Sequence, residues 1–142
     1  MGYALFTARK LSVTARLNQC NAQLMSNTEQ TFNVTASIYA KQNASSLKAT
    51  QASKKAYQTY ADAIQNNGDQ TAAKAALDAK LQEIAEQTAM DDIEIQELNA
   101  QQTQLDLEKK NLETQLNAFQ NELDNVSKAE ENAIKNSTPS YK

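Results

Sequence analysis

Histidine and tryptophan are absent from the 142 residues, cysteine and proline occur once each, and glycine occurs twice. Without histidine the chain cannot assemble a Ser-His-Asp or Cys-His nucleophile arrangement. One cysteine with no histidine cannot complete the ligand set of a structural zinc site. A lone Cys20 also excludes an internal disulfide, and its place on an apolar stripe reads as a small buried residue. Two glycines cannot build a phosphate-binding loop, a dinucleotide fingerprint or a nucleophile elbow. Tight turns draw on glycine and proline, so three such residues argue against a sandwich or barrel. No stretch approaches the ~20 apolar residues of a membrane-spanning helix. The first apolar patch, residues 3–6, precedes Arg9 and Lys10, the reverse of the order in a secretory signal. The cytoplasm is therefore the expected compartment by default. Export by dedicated machinery that cleaves no signal is the other route. No enzymatic activity, cofactor or metal is expected.

What is present is helix-forming. Alanine, glutamine, lysine and glutamate dominate, with asparagine and threonine suited to solvated faces. One apolar stripe runs through the second half. Steps of four and three from Leu77 to Ala133 visit seventeen positions, twelve of them apolar: Leu77, Leu81, Ile84, Ile95, Leu98, Leu105, Leu112, Leu116, Phe119, Leu123, Val126 and Ala133. Thr88, Asp91, Gln102, Lys109 and Glu130 interrupt it. This spacing holds one side of a long helix against a partner, as in a coiled coil.

The first half repeats the pattern with Phe6, Val13, Leu17, Cys20, Leu24, Val34 and Ile38, interrupted by Lys10, Asn27 and Thr31. After Ile38 it slips once in phase and continues through Ala49, Ala52, Ala56, Tyr60 and Ala63. Ser26-x-x-Glu29 has capping-box form, and residues 43–46 are a second point where the helix could break. Asn66-Asn67-Gly68-Asp69 is the strongest punctuation. Gly68 is expected in the left-handed conformation that ends a helix, with Asp69 capping the next. The spacing thus predicts a single helical domain over 1–142: a helix at 3–65, a turn at 66–69, a helix at 70–136 and a frayed tail at 137–142. The fold class is all-α, a long antiparallel two-helix hairpin. Folding about the turn sets residue i opposite roughly 135 − i, with alanine against alanine in a thin, tightly packed turn end.

Charge favours the same pairing. Residues 1–71 hold seven basic residues against three acids (+4), and residues 72–142 hold seven against fourteen (−7). Exposed pairs contribute only ~0.2–1 kcal/mol each, so charge selects partners more than it stabilises. The carboxylates Asp91, Asp92, Glu94, Glu97, Glu130 and Glu131 read as a solvated acidic face. Polar seam residues such as Asp91, Gln102, Lys109 and Glu130 are placed to fix register; a local water-filled gap at Asp91 and Thr88 is the other reading.

A second set of apolar residues does not fit the seam: Leu5, Leu11, Met25, Phe32 and Tyr39 on the first arm, and Met90, Ile93, Leu107 and Ile134 on the second. They form a candidate intermolecular surface. The expected partner is a second copy, giving an oligomer or polymer, with another helical protein as the alternative. Nucleic acid is not expected. Arg9, Lys10 and Arg16 beside Leu5, Phe6 and Leu11 could touch an anionic membrane, but pairing with the acidic arm uses the same charges. In composition and hairpin layout the chain resembles the small helical subunits of flagellar and type III secretion filaments and needles. That likeness implies self-assembly after export without a cleaved signal. The expectation is a non-enzymatic hairpin subunit that associates into a bundle or filament. The alternative is a cytoplasmic coiled-coil adaptor or chaperone-like protein.

Overall fold

A computed structural model describes residues 2–137, and side chains from residue 4 to residue 136. The expected tail beyond Ser137 lies outside the described residues. Two α-helices, α1 (Gly2–Gln65) and α2 (Gln70–Ser137), pack against each other as a helical hairpin, and no strand occurs among the described residues. α1 passes through 26–29 and 43–46 without a break. Ser26 caps nothing; its Oγ accepts a hydrogen bond from Gln30 Nε2 at 3.3 Å. Threonines are tolerated inside both helices because their hydroxyls bond back one turn. Thr28 Oγ1 donates to the Leu24 carbonyl and Thr50 Oγ1 to the Ser46 carbonyl, both at 2.9 Å.

The turn corrects one expectation. The left-handed residue is Asn67 (φ 56°), not Gly68, which has negative φ. Asn67 N–H donates to the Ile64 carbonyl at 3.2 Å and Gly68 N–H to the Ala63 carbonyl at 2.9 Å. This is the double bond of a Schellman cap with asparagine at its left-handed position, which asparagine tolerates better than other side chains do. Glycine is required next for a different reason: a Cβ on residue 68 would stand 2.9 Å from the Ala63 carbonyl oxygen. Asp69 caps α2 as expected, its Oδ1 accepting from Thr71 N–H (3.0 Å) and Ala72 N–H (3.3 Å).

The chain divides into two compact units. One joins residues up to 31 with those from 104 onward, and the other comprises residues 32–103. In the first, Val13, Leu17 and Cys20 of α1 and Leu105, Leu112 and Val126 of α2 are buried. Phe6, Leu24, Leu116, Phe119, Leu123 and Ala133 are half-buried beside them. Each fully buried aliphatic side chain contributes about 1.5–3 kcal/mol.

In the second unit only Ile38, Ala56 and Ile95 are buried. Val34, Leu77, Leu81, Ile84 and Leu98 are half-buried. The end nearest the turn is not tightly packed, contrary to expectation. A groove of about 760 Å³ opens there, lined by Ala52, Ala56 and Ala63 from α1 and Ala72, Ala73 and Ala76 from α2, with Lys55, Tyr60 and Lys80 among its other walls. Alanine does meet alanine, but a methyl group is too short to fill the space between two helix backbones.

Candidate association surface

Several polar residues on and beside the seam form cross-helix contacts. Lys10 Nζ lies 2.8 Å from Glu130 Oε2, close enough for an ion pair although that oxygen accepts no well-aligned hydrogen bond. Cys20 Sγ donates to the Leu112 carbonyl at 3.1 Å, and Asn27 Nδ2 to the Leu105 carbonyl at 2.9 Å. In the second unit Gln102 Nε2 donates to Thr35 Oγ1 at 2.8 Å, and Lys41 pairs with Glu94. Lys41–Glu94 obeys the 135 − i register, whereas Cys20 and Asn27 meet residues three short of it. Thr88 bonds within its own helix, to the Ile84 carbonyl. Asp91 and Thr88 line a cavity of about 280 Å³ with Ser45, Lys48 and Ile84. Lys109 alone of the interrupting residues is exposed.

All nine apolar residues read as off-seam are exposed, and Leu47 and Tyr57 join them. Their arrangement is ordered. On the side of α1 away from the seam, the first unit presents Leu11, Ala15, Ala22 and Met25, spaced by fours and threes, with Asn18 and Glu29 as the polar members of the series. The second presents Phe32, Ala36 and Tyr39, then Asn43, Leu47, Thr50, Lys54, Tyr57 and Ala61 in the same rhythm. Met25 is 74% exposed and Phe32 72%, so neither is covered by the hairpin's own arms. Leu5 stands off this row.

Leu47 and Tyr57 escape a reading in strict sevens because the row slips with the seam. Lys41, Ser45 and Ala49 follow each other by fours on the inner side, and Tyr39, Asn43 and Leu47 do so on the outer. Consecutive fours are a coiled-coil stutter, which locally unwinds the supercoil and carries both faces round together. The same phase correction applied to the outer face would have found both residues. A shallow depression of about 630 Å³ lies here, lined by Thr50, Lys54, Tyr57 and Ala61 among others.

On α2 the outward side of the second unit carries Met90, Ile93 and Ala100, all exposed, interspersed with Glu83, Glu86 and Glu97. Leu107 and Ile134 are the exposed large apolar residues of α2 among the described residues of the first unit. Among the described residues no cluster of histidine, cysteine, aspartate or glutamate is placed to hold a metal ion, and no helix is long and apolar enough to cross a membrane. No protein-family model matches this chain, and neither a curated protein nor a solved structure is similar to it.

Proposed function

We propose that this protein is a non-enzymatic structural subunit, a helical hairpin that self-associates into a bundle or filament. One observation carries the reading: large apolar side chains stand exposed in a heptad-like row on the outside of α1, where a two-helix hairpin would carry polar residues. Scattered single exposures need no explanation, but spacing by threes and fours is what a second helix recognises. The inner seam pairs the two arms and leaves the outer row exposed. Light scattering behind size exclusion, over a concentration series at physiological salt and with negative-stain imaging of the largest species, tests it. Growth of mass with concentration is the expected result. A sharp monomer throughout would refute self-association and turn attention to a heterologous helical partner.

A further inference from the structure

We infer that the association is polar: the outward row of α1 in residues 32–65 of one copy packs on the outward row of α2 in residues 70–103 of the next. The inference rests on the self-association proposed above and specifies its two faces. Both rows lie away from the seam, so in a closed hairpin they cannot meet each other. The α1 row presents Phe32, Tyr39, Leu47 and Tyr57, and the α2 row presents Met90 and Ile93.

Charge decides which row faces which. Between Glu29 and Asp62, α1 has no acid; Lys54 stands in its outward row, and the exposed Lys48 and Lys55 flank that row on the side of the cavities between the helices. Between Lys80 and Lys109, α2 has no base, and it exposes Glu86, Asp92 and Glu97. Among the described residues none of these six forms an ion pair within its own chain; in this unit the pairs are Lys41 with Glu94 and Lys80 with Glu83. Stacking α1 on α1 would set lysines against lysines, and α2 on α2 carboxylates against carboxylates. Only α1 on α2 neutralises both, and like-charge juxtaposition is the strongest screen against a wrong partner. The side chains also suit each other, since a flexible methionine accommodates aromatic neighbours and gains from sulfur–ring contact.

The two faces are different surfaces, so the contact is heterologous. Each added copy covers one row and leaves the other free, which propagates into an open chain or closes as a ring. Two full-length variants test this. Phe32→Glu with Tyr39→Glu spoils the α1 row, and Met90→Glu with Ile93→Glu spoils the α2 row. All four positions are exposed, so the melting of each hairpin serves as the check that it still folds. Each variant alone is expected to lose assembly. Mixed in equal amounts, they are expected to form a species of two chains and no larger, through the one intact pair of rows. A symmetric contact would show as one variant assembling like the wild type while the other does not, and that overturns the polarity. Wild-type assembly in both variants, or a mixture that yields no two-chain species, overturns the assignment of faces. A wild type that is monomeric at every concentration overturns the self-association reading itself, and the polarity with it.

Discussion

Replacing the buried Asn27 with leucine should stabilise the hairpin. Asn27 is 2% exposed, and its Nδ2 has a partner in the Leu105 carbonyl. Its Oδ1 is buried with none. A buried acceptor without a partner costs about 1–3 kcal/mol, while the hydrogen bond on the other side of the amide contributes a net of about 0.5–1.5 kcal/mol. The Leu105 carbonyl is not orphaned by the change, because it lies in the middle of α2, where a backbone N–H one turn on also binds it. Leucine has the same branching as asparagine and adds burial of about 1.5–3 kcal/mol, less any strain from its greater volume. The balance favours Asn27→Leu by about 1–3 kcal/mol, a rise of several degrees in melting temperature. Thermal melting followed by far-ultraviolet circular dichroism, at a concentration below the onset of assembly, reads it directly. A lower melting temperature would refute the reasoning, because it would mean that the Asn27–Leu105 bond outweighs the unpaired oxygen and the gain in apolar burial together. A buried polar residue that costs stability fits a role in fixing register, the best-attested use of a single polar group in a coiled-coil seam.

Two further perturbations probe the seam and the turn. Leu112 is 6% exposed and Leu116 half-buried; substituting both with alanine should cost about 2–5 kcal/mol for the first and less for the second, and an unchanged urea midpoint would mean that the seam is misplaced. Gly68→Ala should destabilise by roughly 1–3 kcal/mol, because its Cβ meets the Ala63 carbonyl oxygen, whereas Asn67→Gly should shift stability by no more than about 1 kcal/mol, since glycine enters the left-handed conformation without strain. The reverse order of those two effects, measured by chemical denaturation, would contradict the placement of the left-handed residue at Asn67.

The sequence reveals what depends on spacing and conceals what depends on volume and on exact turn geometry. Both helices and their ends are legible because the stripes survive their polar interruptions, and because Asn66-Asn67-Gly68-Asp69 can end one helix and cap another. Which of those residues turns left-handed is not legible. Glycine is the usual occupant, and only the closeness of the Ala63 carbonyl oxygen shows that Gly68 answers a contact rather than a dihedral angle. The alanine-rich end is likewise correct in identity and wrong in tightness, since spacing says which side chains face each other and not whether they reach.

The outer row lies between these cases. Met25, Phe32 and Tyr39 repeat every seven residues and are visible at once, but Leu47 and Tyr57 come into line only when the slip of the inner seam is carried to the outer face. A stutter does not belong to one side of a helix. Where it rotates a buried stripe, it rotates the exposed stripe by the same angle, and a partner packed along the outer row of α1 must share the change of pitch. An aligned α2 segment with uninterrupted four–three spacing over Met90, Ile93 and Ala100 cannot follow the whole of that row at one register. It follows the stretch before Asn43 and the stretch after it with a change of register between them. Lys54 lies in the second stretch, with Lys48 and Lys55 beside it, and the aromatic pair Phe32 and Tyr39 lies in the first. Glutamate at positions 32 and 39 therefore tests the apolar half of the proposed contact, while the salt dependence of assembly reports on the lysine-bearing half.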